Sequence, residues 1–448
     1  MKMLYTNNWI KITRRLPHIF TAMVLLSFSH LHAQQSNTPV FKLNHCIEIA
    51  LKNNPQILAS GLTVEESRAR IGEVKAGYYP TLSLSASGSQ STWENGTGGT
   101  GKTSMDNWSG GLSARYPIFQ GFKTVARENA AKANFQANGA WHKTNQQDLV
   151  VRVTEAYYRL LQLERLVQVA EQSVQRAQKH LDFSNALFNT GLASRSDILK
   201  AKVAQSDAQL AMIRTRNAHL AARGQLNLQM GRAVQLPLKI VDDLETAASP
   251  ADSSFGFNEN RFEKYLQRAF KNRSELERIN QQIRAQQANI RFARGDYFPT
   301  FSVEGSYSYA GETTSDLNAS SYIGLSLSVP LFSGFSRPAR VKQENLALRN
   351  LEQQQESLCH EIGAEVWNAY LQVKEAAERV SNSRIFYENA LESRNIAEGE
   401  YREGVGSMLD VIDAQTAFVT AEQTLIEALA DYKIALAVLD RAAGIINV

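Results

Sequence analysis

Beyond residue 33 the sequence has no apolar run long enough to cross a bilayer as a helix. A chain without such a run that enters a membrane integrally must do so with strands. Cysteine is nearly absent. Cys46 and Cys359 are far apart and both fall in helical patterns, which reads as two free buried thiols in preference to a disulfide. Of the eight histidines, three fall within positions 1–33 and the rest are scattered. His360-Glu361 looks like half of a zinc-protease helix, but Ala364 stands where the second His would be needed. With no metal constellation, no nucleophile motif and no paired acid and base, we read no metal, no cofactor and no catalytic residue, and set the enzyme class aside.

A surplus of one charge is also missing. The formal net charge of +4 comes wholly from Lys2, Lys11, Arg14 and Arg15; the remainder balances 44 basic against 44 acidic residues. Nothing in that balance favours nucleic acid. Those four residues precede a short apolar run, Ile19 to Phe28, and Leu31-His32-Ala33, so residues 1–33 read as a secretory signal. No Cys follows the expected cleavage point, and no lipid anchor is read.

What the sequence does have, it has twice. Phe188 to Leu199 reads F-N-T-G-L-A-S-R-S-D-I-L and Tyr401 to Asp413 reads Y-R-E-G-V-G-S-M-L-D-V-I-D. Each lies between long helical patterns. A Gly just after a periodic run supplies a helix C-cap and the Ser that follows caps the next helix, so each copy reads as the tight turn of a helical hairpin. One common offset relates Gly191 to Gly404, Pro117 to Pro330 and Gly231 to Gly444, whereas Pro80 and Pro299 are related by a slightly longer one. The chain is a tandem duplication whose length change is confined to the stretch between the prolines.

The helices are long. The pattern from Phe122 to Leu187 contains no Pro and would reach about 100 Å at 1.5 Å per residue. The return helix, Ser194 to Met230, would span about 55 Å, and the N-terminal helical segments, Leu43 to Leu51 and Pro55 to Gly77, are long enough to stack above it. In the second copy Tyr265 to Arg294 reads as one helix. Val153, Leu160, Val167, Val174, Leu181 and Phe188 recur every seven residues, and Val411, Ala414, Phe418, Ala421, Leu425, Ala428, Tyr432, Ala435, Leu439 and Ala442 alternate steps of three and four. That period belongs to left-handed coiled-coil packing.

Between the prolines the period drops to two. Phe301, Val303, Tyr307 and Tyr309 alternate with polar residues, as do Ile323, Leu325, Leu327 and Val329; Leu82, Leu84 and Ala86, then Trp108, Leu112, Ala114 and Tyr116 do so more weakly. Such segments are the signature of an outer-membrane barrel, with Phe301, Val303, Ile323 and Leu325 toward lipid and Ser302 and Ser326 toward water. Four strands cannot close a barrel. They must be pooled between copies, and three copies give a water-filled barrel where two would give one filled by side chains.

The expected organisation is a signal over 1–33, a first repeat over 34–231, a linker with one short strand over 232–261, lying outside the helical wall, and a second repeat over 262–448. One strong motif is rejected on context: Gly96 to Thr103, G-T-G-G-T-G-K-T, matches a phosphate loop but lies between two alternating segments, with no buried strand before it and no helix after it. It reads as a surface loop.

With the duplication in hand, A-L-K-N-N-P (50–55), Y-P-I-F-Q-G-F (116–122), V-P-L-F-S-G-F (329–335) and Y-R-E-G-V-G-S-M-L-D-V-I-D-A-Q (401–415) resemble the TolC family of bacterial outer-membrane efflux proteins across the mature chain. The resemblance implies a mixed α and β membrane protein: a homotrimer whose tandem-repeat protomers each give four strands to one 12-stranded outer-membrane barrel and long coiled-coil helices to a periplasmic tunnel. It implies an exit duct for efflux or type I secretion, partnered by a periplasmic adaptor and an inner-membrane pump. By position, Gly191, Leu192, Ser194, Gly404, Val405 and Ser407 match adaptor-docking tips. Asp410 and Asp413 match the aspartates ringing the tunnel's narrow end, and Tyr401 and Asp197 match the closing network. Gly406 stands where the best-known member has an arginine, for which Arg195 or Arg402 would have to substitute. The competing reading of Asp410 is a helix-capping carboxylate. The competing reading of the chain, a periplasmic coiled-coil adaptor or scaffold, calls for one hairpin flanked by β-rich domains, whereas this sequence has two hairpins.

Overall fold

The computed structural model describes residues 40–94, 102–191, 193–244 and 259–446. The expected signal, Leu192, the body of the phosphate-loop-like stretch and 245–258 of the expected linker lie outside the described residues. The chain divides into Met1–Val40 and Phe41–Val448, and among the described residues the helices and the long strands lie in the second unit.

The chain runs β1 (Val40–Phe41), α1 (Leu43–Asn53), α2 (Pro55–Lys75), β2 (Thr81–Glu94), β3 (Lys102–Gln120), α3 (Lys123–Asn189), α4 (Arg195–Gln229), β4 (Lys239–Ile240), α5 (Glu259–Asn272), α6 (Ser274–Arg294), β5 (Thr300–Gly311), β6 (Asn318–Ser328), α7 (Ser336–Arg402) and α8 (Met408–Ala442). The duplication is metrically strict in its helices: α3 and α7 each have 67 residues, and α4 and α8 each have 35. Among the described residues no helix is long and apolar enough to cross a membrane.

Each long helix starts from the same device. Gly121 and Phe122 have φ of 62° and 64°, and Gly334 and Phe335 have 61° and 62°. Two successive left-handed residues turn the strand into the helix. A non-glycine residue pays for that conformation, and each Phe is held edge-on to an earlier Phe, Phe119–Phe122 at 5.1 Å and Phe332–Phe335 at 5.5 Å between centroids.

Two duplicated cores hold the upper ends of the hairpins. One gathers Cys46, Ala50, Leu149, Tyr157, Leu226 and Met230; the other gathers Ala269, Ile362, Tyr370 and Leu439. Leu149, Tyr157 and Leu226 correspond by the repeat to Ile362, Tyr370 and Leu439. Burial of these side chains, about 1.5 to 3 kcal/mol for each large one, is where the helices gain their stability. The α8 seam is buried at eight of its ten expected positions, with Ala414 and Leu425 half-buried. The α3 seam fades toward the tip: Val153, Leu160 and Leu181 are buried, Val167 and Val174 half-buried and Phe188 exposed. α3 is packed by α2, α4, α6 and α8 along its length, so no single stripe describes its buried surface.

Three features differ from expectation. Tyr265 to Arg294 is not one helix: it starts earlier, at Glu259 within the expected linker, and breaks at Arg273 (φ −69°, ψ 125°). The first half breaks in the same way at Asn54 (φ −67°, ψ 123°), where Pro55 announces it. Arg273 gives no such signal because the break is held by tertiary charge pairs: its guanidinium meets Glu275 at 2.8 Å and also Glu365, and Arg441 meets Glu275 at 2.6 Å and Asp148 at 2.8 Å. The linker carries its expected short strand, β4, and is more firmly anchored than its lack of periodicity suggests: Leu238, Ile240 and Leu244 join the first core and the Tyr157 hydroxyl donates to the Val241 carbonyl at 2.7 Å. Finally, both cysteines are free, but only Cys46 is buried, and burial pushes its thiol up to about 11; Cys359 is half-buried.

The four long strands form one antiparallel sheet in the order β2-β3-β5-β6. Register puts Leu82, Ala114, Gly305 and Ile323 in one row and Leu84, Leu112 and Tyr307 in the next, all on one face. Leu84, Ile323 and Leu325 are 84, 83 and 68% exposed on it. The opposite face carries Ser83, Ser85, Ser113, Ser306, Ser308 and Ser326, with Arg115 paired to Glu304 at 3.3 Å. Ser302 lies on this polar face but is buried, within 3.3 Å of Glu304, while Ser326 is open.

Candidate functional site at the hairpin tips

Both tips are built the same way. α7 ends at Arg402 with Glu403 as its C-cap, and Gly404 follows with φ 77°; the Gly404 amide donates to the Tyr401 carbonyl at 3.2 Å and the Val405 amide to the Glu400 carbonyl at 3.0 Å. That pair of bonds is the left-handed helix stop that favours Gly. Gly191 has φ 76° and donates to the Phe188 carbonyl at 3.0 Å. Neither glycine has a neighbour within 4 Å of where a Cβ would sit, so backbone conformation alone, not crowding, calls for Gly. Val405 is 81% exposed beside it.

Ser194 and Ser407 open the return helices with full capping boxes. Each hydroxyl accepts from the amide three residues on at 3.3 Å, and Asp197 and Asp410 each accept from the serine amide at 3.0 Å. The serine hydroxyls also donate to the same carboxylates, at 2.8 and 2.7 Å. These bonds hold the Asp197 and Asp410 carboxyls below their ordinary range. Asp410 therefore does act as a cap, and its charge is present at any neutral pH. Asp413, one turn on, is exposed and lines the same groove.

That groove, 620 Å³ between α7 and α8, holds two acids that motif reading passed over. Glu392 and Glu400 line it with Asp410 and Asp413. Their shared helix face was available in the sequence, but which face of α7 meets α8 was not.

Tyr401 is buried among Leu181, Ala201, Met408 and Val411, a small cluster that ties both hairpins together near the tips. Its hydroxyl lies 3.4 Å from the Ser184 hydroxyl and its ring 5.8 Å from Phe183. Among the described residues no hydrogen bond joins it to Asp197. Gly406 is packed against the end of α7, where an added Cβ would meet Glu400 Cβ at 3.0 Å and the Tyr401 amide at 3.1 Å. Of the two arginines weighed as replacements, Arg195 is exposed on α4, and Arg402 lines a cavity shared with Tyr401 and α3.

The family model described as outer membrane efflux protein matches residues 46–232 and 265–445, the two halves of the duplication. The chain is 24% identical over 451 residues to the outer membrane protein TolC of Escherichia coli (strain K12), covering 97% of this chain and 87% of that one. It is 23% identical over 419 residues to the alkaline protease secretion protein AprF of Pseudomonas aeruginosa, covering 89% and 83%. Its fold superposes on the Campylobacter jejuni CmeC outer membrane channel with a TM-score of 0.75 at 16% identity, covering 90% of this chain and 85% of that one.

Proposed function

Because this chain belongs to the outer membrane efflux protein family, an exit duct of the bacterial outer membrane with a periplasmic helical extension, we propose that three copies close head to tail into one barrel and one tunnel. The observation that carries this is an asymmetry of contacts. Within the chain the first half meets the second: β3 pairs with β5, α3 packs along α6, and Gly121 sits directly on the Gly295 carbonyl. Among the described residues the repeat-related contacts of the second half have no partner in the single chain. β2 and β6 are sheet edges, and Gly334 faces open space. A surface that offers one half of a contact at each end is heterologous, and rotation closes it into a ring. Three copies supply twelve strands, enough for a water-filled lumen. The two repeats, 34–231 and 262–448, are then pseudo-equivalent staves, joined by the 232–261 linker.

Two roles at the tips follow. The exposed turns at Gly191 and Ser194 and at Gly404, Val405 and Ser407, with Leu192 included by its position in the sequence, dock a periplasmic adaptor, which couples the duct to an inner-membrane pump. Asp410 and Asp413, flanked by Glu392 and Glu400, ring the narrow end, and Tyr401 and Asp197 belong to its closing apparatus. Conduction is passive and calls for no catalytic residue or cofactor. The test is electrophoresis of a detergent extract with and without boiling: a shared barrel migrates as a trimer until boiled. A monomer in the unheated lane would overturn the assembly.

A further inference from the structure

A cavity of 490 Å³ lies between α3 and α7 above the tips, away from the acidic groove. It is lined by Arg176, Lys179, His180, Arg394 and Arg402, opposed by Glu398. Glu422 stands behind, close enough to act on both Arg176 and Arg394. Burial pushes the His180 imidazole down, so it is neutral at pH 7 and four permanent cations face two carboxylates. The two inner guanidiniums stack on one ring, Arg394 4.2 Å and Arg176 5.5 Å from the Phe418 centroid. Stacking fixes the planes of these two groups and leaves their edges free to donate. Arg394 is partly engaged, its Nε 3.8 Å from Glu398 and its Nη2 donating to Asn395 at 2.8 Å; Arg176 donates through Nη1 to Gln172 at 3.4 Å, while its buried Nε and Nη2 have no hydrogen-bond partner among the described residues. Buried, unpaired donors of this kind are costly unless something accepts from them.

Nothing about the scaffold asks for these charges. At the repeat-related positions of Arg176, Lys179, His180, Arg394, Glu398 and Phe418 the chain has Asn389, Glu392, Ser393, Leu181, Asn185 and Gln205, in helices of the same length. We propose that this cavity is an anion site for a phosphate-class oxyanion, accepted by Arg176 and Arg394 and bordered by Lys179 and Arg402. A divalent oxyanion cancels the net excess of two positive charges, which a monocarboxylate does not. Bound there, it bridges α3 and α7, one long helix from each hairpin, a few turns above the tips.

The experiment is calorimetric titration of the full chain, purified in detergent, with inorganic phosphate, with glutamate and with chloride at equal ionic strength. Saturable phosphate binding, at least about tenfold tighter than glutamate, is expected, weakened about tenfold or more in Arg394→Gln. Lys179→Gln with Arg402→Gln removes only the bordering charges and leaves the inner pair in place. It should weaken binding about threefold or more without altering the heat-stable oligomer, so it decides the matter if Arg394→Gln fails to assemble. Phosphate binding no tighter than chloride, a preference for glutamate, or undiminished affinity in the double variant would each overturn the assignment.

Discussion

The two hairpins of this chain are the same object in length and opposite objects in charge. α3–α4 and α7–α8 match residue for residue, and their turns share one glycine conformation and one capping box. Yet the acidic set on the second hairpin, Glu392, Glu400, Asp410 and Asp413, has Lys179, Leu187, Asp197 and Lys200 as its counterparts on the first. Helix length is fixed by the need for both staves to reach the same two ends. Charge is free to diverge, because an exposed position on a long helix constrains only its immediate neighbours. A ring of such protomers would therefore be nearly sixfold in shape but threefold in potential.

The largest expected difference between the halves lies at their helix breaks. The first is set locally by Asn54 and Pro55, the second by the buried arginine pair. Burial alone would raise the Glu275 carboxyl, but hydrogen bonds from Arg273 and Arg441 outweigh it and hold it at about 2. Glu275→Gln should cost up to about 3 kcal/mol, since it takes one of two acids from each of Arg273 and Arg441 and leaves them Glu365 and Asp148, against about 1 kcal/mol for Asn54→Ala, which removes a cap. Because the folded value lies below the unfolded one, this stability is present above about pH 4.5 and is lost as pH falls toward 2. Chemical denaturation of the two variants at pH 7 and pH 3.5 checks both statements; equal costs would remove the distinction.

The strands should instead prove equivalent. Leu112 and Leu325 are repeat-related and lie on the apolar face, and Ser113 and Ser326 lie on the polar one. Arg at either leucine should cost about 2 to 4 kcal/mol, and Arg at either serine much less. Yield of heat-resistant oligomer in the outer-membrane fraction measures this, and a serine variant as damaging as its leucine neighbour would contradict the lipid-facing assignment.

Smaller effects are expected at the turns. Gly191→Val and Gly404→Val each force a β-branched residue into the left-handed region, at about 1 to 2 kcal/mol, confined to an exposed turn. Oligomers should form normally while export fails in both. Export that survives Gly404→Val would mean that the tip shape is not read by a partner.

The smallest stability change and the sharpest functional one are expected from Asp410→Asn with Asp413→Asn. Loss of the capping carboxylate should lower stability only slightly, while single-channel recordings should show weaker cation preference and weaker block by trivalent cations. Asp197→Asn, whose helix already carries Lys200, should cost the same stability and leave selectivity unchanged. Selectivity that responds equally to both hairpins would erase the contrast between them.

The sequence by itself determined the duplication, the helix lengths, the turns and the strand alternation. Each of these is a local or periodic property: a 3.5-residue stripe, a period of two, a glycine that stops a helix and a serine that starts one. It missed the break at Arg273, the burial of the linker and the two added acids of the groove, and it left the arginine cavity unseen. Only the tertiary structure decided those, because each depends on which side of a helix meets which neighbour. Arg273 reads as an ordinary helical residue until Glu275, Glu365 and Arg441 are brought to it. Arg176 and Arg394 belong to different halves of the duplication, and they form one cavity only when α8 carries Phe418 between them.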